Sequence, residues 1–318
     1  MFDNEKYLES RTFPPLHQIV LSLTSIDLRQ QLEMSTSTID EKDSDGRTAL
    51  SWAAARGDAE ATQLLLEFGA NPNILSYKNQ SPLHWGAQST RGTCAEICQA
   101  LLGSGADVNC IDDWKRTALI YASADQDDPD TLKPLVHGRA NLNPKDCHGR
   151  TPLGYAAKMK RTRTLKLLLS YGADPYIPDS FGFTPLFEAV QQNHHQILRL
   201  LLRHGIKPIS KVMNGKSILH VAAFYGDVET MRILATEESM DLDVDDKDHD
   251  GLTPQDLYFQ RGDVSPELED AFHTLISTTI RASKTSEQSD ARSISESGIN
   301  DDTEDFADAL EYLDEKAC

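Results

Sequence analysis

The stretch GRTALSWAAARGDAEATQLLLEFGANPN, residues 46–73, decides the fold. Thr48 carries a hydroxyl that suits a helix N-cap, where it accepts from an unpaired backbone N–H. Residues 49–56 then read as a short helix whose alanines let a second helix come close. Gly57-Asp58 turns the chain, and residues 61–68, with Leu64-Leu65-Leu66, form that second helix. Gly69 stops it at a position where a left-handed residue costs least. Just ahead of the block, Asp43-Ser-Asp-Gly46-Arg47 has the chemistry of a hairpin turn.

The block returns along the chain. Its helix start recurs as Thr48-Ala-Leu, Ser81-Pro-Leu-His84, Thr117-Ala-Leu, Thr151-Pro-Leu, Thr184-Pro-Leu, Ser217-Ile-Leu-His220 and Thr253-Pro, at steps of 33, 36, 34, 33, 33 and 36 residues. Proline is at ease directly after the cap, where no N–H is needed. The turn returns as Asp146-Cys-His-Gly149-Arg150 and Asp179-Ser-Phe-Gly182-Phe183, and Gly105 and Gly172 stop later helices. A fixed period of this length marks a solenoid, in which no unit buries its apolar face alone.

These residues resemble the ankyrin repeat family over roughly residues 43–280, and residues 46–73 are similar to stand-alone ankyrin proteins common in filamentous fungi. The resemblance implies an all-α solenoid of helix-turn-helix units with short β-hairpin fingers. We divide the chain into residues 1–42, an extension with a degenerate capping repeat around Phe13-Pro-Pro-Leu-His17; residues 43–282, about seven repeats; and residues 283–318, an acidic, Ser-rich tail. Three departures stand out. Residues 125–130, rich in Asp, replace a Gly turn and predict a distorted third helix pair. Residues 236–241 lack a Gly stop, and the last repeat lacks the usual second-helix leucines, which suggests a polar cap.

Composition narrows the partner. The chain carries 31 Lys+Arg against 50 Asp+Glu, a formal net charge of −19, which disfavours nucleic acid and anionic membrane. The N-terminus shows no secretory pattern and no long apolar run occurs, so an intracellular protein of the cytoplasm or nucleus is expected. Five cysteines without framework spacing suit free thiols.

Nothing in the chain assembles into catalysis. Gly215-Lys216-Ser217 lacks the second glycine of a phosphate loop, since Ser210 stands there. Cys94 and Cys98 read as helix packing, His84 and His220 as structural, and His194-His195 as a solvated turn. We expect no cofactor, no metal and no small-molecule substrate, and a protein partner instead. The resemblance places that partner on the concave face, lined by hairpin tips and first helices. By register these offer Arg47, Tyr77, Lys78, Trp114, His148, Arg150, Phe181, Phe183 and Met213, with Phe224 and Tyr225 at the end of a first helix. Trp52 and Trp85 occupy inward slots, whereas Tyr77, Trp114 and Phe181 form the preferred contact line, because aromatic side chains anchor interfaces. Residues 158–166 hold the only dense basic patch.

The tail has its own pattern. Residues 284–318 contain 11 acids and 3 bases, and residues 283–297 read as a disordered linker. Beyond it, Phe306, Leu310 and Leu313 lie on one stripe of a potential helix, as a motif that folds into a partner's groove would. The expected function is a non-catalytic interaction module or adaptor. The alternatives are a transcriptional coregulator using that tail, or a non-catalytic regulatory subunit of an enzyme.

Overall fold

The computed structural model describes residues 13–296 apart from 90–91, 126, 209–210, 213, 237–241 and 263, with side chains described through residue 282. Capping chemistry at the fixed period produces paired helices. The N-terminal pair is α1 (Pro15–Val20) and α2 (Leu28–Met34). Repeats one to four follow as α3 (Ala49–Arg56) with α4 (Ala59–Glu67), α5 (Pro82–Ala87) with α6 (Cys94–Gly103), α7 (Ala118–Asp125) with α8 (Pro129–His137), and α9 (Pro152–Lys158) with α10 (Thr162–Ser170). Repeats five to seven are α11 (Pro185–Gln191) with α12 (His195–Arg203), α13 (Ile218–Tyr225) with α14 (Val228–Ala235), and α15 (Pro254–Gln260) with α16 (Pro266–Glu296). First helices stack on first helices and second on second, so the core is a continuous seam. Trp52, Leu65, Ile97, Leu101, Leu119, Leu168, Phe187 and Leu201 are buried along it.

Thr48 and Thr151 accept from the N–H groups of Ser51 and Gly154, as the sequence predicts for their caps. Where the motif ends in His, the cap is a reciprocal capping box. His84 Nδ1 accepts from the Ser81 N–H at 3.0 Å, while its Nε2 donates to the Arg116 carbonyl of the next repeat at 3.0 Å. His220 repeats this with Ser217 and the Leu252 carbonyl, and His17 reaches the Arg47 carbonyl at 2.8 Å. The histidine is therefore a clasp between repeats. Burial lowers the pKa of His17 and His84, and a neutral ring is the form that can accept at Nδ1 and donate at Nε2.

The fingers are hydrogen-bonded turns, and no strand occurs among the described residues. In finger one, Asp43 Oδ1 accepts from the N–H groups of Asp45 and Arg47 at 2.8 and 2.9 Å, and the Asp43 N–H donates to the Arg47 carbonyl. Asp112, Asp146, Asp179 and Asp248 do the same. Gly46 sits at φ +76°, and a Cβ there would lie 2.8 Å from the Tyr77 nitrogen. Glycine is thus required twice over at that turn. Asn79 and Lys115 take the same left-handed slot in fingers two and three. Single backbone bonds join neighbouring fingers: Tyr77 to Asp45, Asp113 to Lys78, Cys147 to Trp114, Ser180 to His148 and His249 to Asn214. A second row links the loops after the second helices, with Asp107 N–H on Asn73 Oδ1, Asn141 on Asn109 and Asp174 on Asn143, each at 2.8–2.9 Å.

The structure corrects several expectations. The third helix pair forms, because Asp128 caps α8 and Pro129 occupies its first turn, where a missing N–H costs nothing. Asp127 also caps the next repeat, accepting from the Thr164 N–H at 3.0 Å. The last repeat has a full second helix with an apolar face: Leu268, Ala271, Phe272 and Leu275 are buried, and Phe272 stacks on Tyr258 at 4.0 Å. That helix runs through Glu296, so the expected linker backbone is helical and the boundary at residue 282 falls inside α16. The physical reason is that neither Gly nor Pro interrupts residues 267–297. The expected gap at residues 237–241 lies outside the described residues.

Candidate functional site

Every repeat places one side chain of its first helix four residues after the cap, under its finger: Trp52, Trp85, Tyr121, Tyr155, then Glu188. Finger aspartates hold the polar ends of three of these rings. Trp52 Nε1 donates to Asp43 Oδ2 at 2.9 Å, Tyr121 to Asp112 at 2.5 Å and Tyr155 to Asp146 at 2.7 Å. Burial and Asp112 push the Tyr121 phenol up to about 12. Between the rings lie guanidinium groups. Arg47 is sandwiched between Trp52 and Trp85 at 4.8 and 4.5 Å, and Arg116 covers Trp114 and Tyr121 at 5.7 and 5.5 Å. Arg150 lies over Tyr155 and binds Asp179 at 2.8 Å and Glu188 at 3.2 Å. Burial, reinforced by Asp179, raises the Glu188 pKa against the pull of Lys158 and Arg150.

This geometry separates the expected contact residues into two groups. Arg47, Arg150 and Phe183 belong to the floor. The two arginines are held as described, and Phe183 packs edge-on against Phe187 at 6.3 Å. Their position follows from the turn, whose returning limb points under the finger while its tip points away. Tyr77, Trp114 and Phe181 are at the tips and 71%, 38% and 53% exposed. Lys78 reaches over the Trp114 ring at 5.6 Å, and His148 is exposed on the finger between Trp114 and Phe181. Phe224 and Tyr225 pack edge-on at 4.9 Å at the exposed end of α13. Met213, Phe306, Leu310 and Leu313 lie outside the described residues.

Sequence reasoning missed three features. Phe259 is 63% exposed at the end of α15, packed against Tyr258 at 5.8 Å; its signal is the aromatic pair closing that helix. Glu188 breaks the aromatic slot, a departure visible at one-period spacing. His195 is engaged by Asp227 at 2.9 Å and His194 by the Ala157 carbonyl at 2.9 Å, so this turn ties repeats four to six rather than standing free in solvent.

Other candidate chemistry resolves into packing. Cys94 and Cys98 are buried in α6, and burial with the neighbouring Cys94 pushes the Cys98 thiol well above its usual range. Among the described residues no His/Cys/Asp/Glu group could hold a metal, and no helix is long and apolar enough to cross a membrane. Ser217 caps α13.

A finger-bearing helical solenoid with a ring-and-guanidinium floor defines the class: a repeat protein whose exposed tips form one extended face. The chain belongs to the ankyrin repeat family, matching the model for Ankyrin repeats (3 copies) over residues 16–112, 89–179 and 164–248. Its array resembles the crystal structure of the ankyrin repeat domain of Bcl-3, of the IκB family, with TM-score 0.60 and 27% identity over 72% of this chain and 99% of that one. It is 32% identical to cyclin-dependent kinase 4 inhibitor B of Bos taurus over 129 residues, 41% of this chain and 95% of that protein. It is also 31% identical over 128 residues to palmitoyltransferase AKR1 of Lachancea kluyveri. That match covers 40% of this chain and only 17% of the enzyme's length.

Proposed function

We propose that this chain is a non-catalytic protein-recognition module that grips a partner protein with its finger tips and the ends of its first helices. The observation that carries this reading is the run of exposed rings, Tyr77, Trp114 and Phe181, on fingers tied to one another by backbone bonds. A soluble surface has little reason to display indole and phenyl groups on rigid supports unless they are covered in use. An interface of about 800 Å² per side spans several repeats, which this array supplies.

Proteins named as inhibitors of a cyclin-dependent kinase are among the relatives, and that name describes regulators. They favour an intracellular regulatory partner, and a non-catalytic subunit of an enzyme is one form of that role. The net charge of −19 argues against nucleic acid as the ligand.

The test is capture of partners from source-cell extract by wild type and by Trp114→Ala/Phe181→Ala, after circular dichroism shows equal helicity. Loss of the captured protein from the folded variant is expected. Retention by both would move the site off the tips.

A further inference from the structure

The second helices carry a charge pattern that the finger tips do not use. Helices α8, α10, α12 and α14 together hold six Lys and Arg against two acids, Asp130 and Glu229. Four of the six, Lys133, Lys166, Arg199 and Arg232, fall 33 residues apart and share one slot of the period. Gln63 and Gln99 occupy that slot in repeats one and two, where α4 and α6 hold Glu60, Glu67 and Glu96 with no base. Beyond α14 the chain turns acidic again, with Glu237-Glu238 in sequence and exposed Glu267, Glu269 and Asp270 opening α16. A chain of net charge −19 thus keeps a bounded basic stretch on this face.

The acids of the stretch are already engaged. Asp130 pairs with Lys133 at 2.6 Å, and Glu229 pairs with Arg199. In the turns leading in, Asp127, Asp128 and Asp227 cap helices, while Asp125 is exposed together with Lys158 and Lys160. Arg163, Lys166, Arg203 and Arg232 are exposed, and none has an ion-pair partner among the described residues. Two of them, Arg203 and Arg232, meet Arg199, Glu229, Ile233 and Thr236 around one groove of about 330 Å³. Thr236 donates its hydroxyl to the Ile233 carbonyl, so guanidinium groups supply the groove's free donors.

Three guanidinium groups against one carboxylate leave this groove with two positive charges in excess. A phosphate monoester carries about −1.5 to −2 at neutral pH, and its three oxygens can accept from more than one guanidinium. A single carboxylate would leave one cation unmatched.

We propose that the groove between α12 and α14 binds the phosphate of a phosphorylated serine or threonine in a partner protein, with Arg203 and Arg232 as its principal donors. The segment lies extended across the second helices, and Arg163 and Lys166 take acidic residues beside the phosphate. Helices stacked about 10 Å apart put α10 about 15 Å from the middle of the groove. At ~3.3 Å per residue, those acids fall about four to five positions from the phosphorylated residue. A nucleic-acid duplex or an anionic membrane fits less well. Either would extend past the four basic helices, about 30 Å across, onto the acids of α6 and α16.

The probe is a fluorescein-labelled peptide of eleven residues with phosphoserine at its centre, aspartates four and five positions to either side, and Gly and Ser between. Its anisotropy is followed with the full chain at about 50 mM salt, where screening is weak. Binding is expected, about tenfold or more tighter than for the same peptide with serine at its centre. Arg203→Glu/Arg232→Glu should weaken it by about tenfold or more with unchanged circular dichroism. Arg203→Lys/Arg232→Lys should also lose affinity, because ammonium groups lack the fork of a guanidinium. No binding by the folded chain, equal binding of the two peptides, or binding that survives the charge reversal overturns the proposal. Tighter binding of a DNA duplex of about 20 base pairs, or of phosphatidylserine vesicles, lost in the same variant, assigns the face to those polyanions and overturns it too. Trp114→Ala/Phe181→Ala should bind the probe like wild type, so this site and the finger tips fail separately.

Discussion

Repeats one and four begin with the same Gly-Arg-Thr, at Gly46 and Gly149, yet the two arginines are held in opposite ways. Arg47 lies between the faces of Trp52 and Trp85. Arg150 has one ring, Tyr155, and two buried carboxylates, Asp179 and Glu188. The deciding residue is the one under the next finger, a tryptophan in repeat two and a glutamate in repeat five. One finger thus holds its cation chiefly between two rings, with the half-exposed Asp45 at 3.9 Å, the other in a buried ion network. The first tolerates loss of charge, and the second does not, because its carboxylates would be stranded.

The largest effect should separate these cases. Arg150→Ala leaves Asp179 and Glu188 buried without their cation and should cost about 3–5 kcal/mol in denaturant unfolding. Arg150→Met/Asp179→Asn/Glu188→Leu removes the charges together and should recover most of that loss. Failure to recover would mean that packing, not charge, holds this junction. Arg47→Ala should cost less, about 1–2 kcal/mol, by opening a gap between two rings. A loss as large as that of Arg150→Ala would erase the distinction.

The two halves should also respond oppositely to acid. His17 and His84 have pKa values held below 6.5, so their contribution is complete above 6.5 and is lost as pH falls through the lowered folded values. Glu188 has its pKa raised above 4.5, so the folded state takes up a proton more readily than the unfolded chain. Its charged form is a penalty, relieved as pH falls through the raised value toward 4.5. Amide exchange between pH 7 and 5 should therefore accelerate in repeats one to three relative to repeats four and five. Glu188→Gln removes the compensating gain, and its unfolding midpoint should drop more steeply over that range than that of wild type. Parallel slopes would break the comparison.

The smallest effect concerns a finger turn. Lys115 holds a left-handed backbone at φ +58° in the slot where finger one has Gly46. Lys115→Gly should raise stability by about 0.5–1 kcal/mol, read as a shift in denaturant midpoint at constant slope.

The helix pairs were legible because caps and stops recur at a fixed period often enough to exclude chance, even where one of them is missing. The burial of Trp52 and Trp85 and the exposure of Tyr77, Trp114 and Phe181 were legible as well, from their slots in the period. The roles of Arg47 and Arg150 were not, since a turn residue reads as exposed until its returning limb is seen to face inward. The engagement of His195 depends on Asp227, 32 residues away, and only alignment of successive repeats could have paired them. The second helix of repeat seven escaped notice because its buried residues, Leu268, Ala271, Phe272 and Leu275, are spread along it instead of forming the leucine run of the others.

The bonds that close each junction have a kinetic consequence. Finger to finger, histidine to carbonyl and loop to loop, they span 29 to 38 residues wherever they occur. Each new repeat therefore closes a loop of about the same length as the one before, and the entropic cost of closure stays nearly constant however far the array extends. Contact order relative to length falls as repeats are added, so lengthening this chain by further repeats should leave its folding rate nearly unchanged while its unfolding slows.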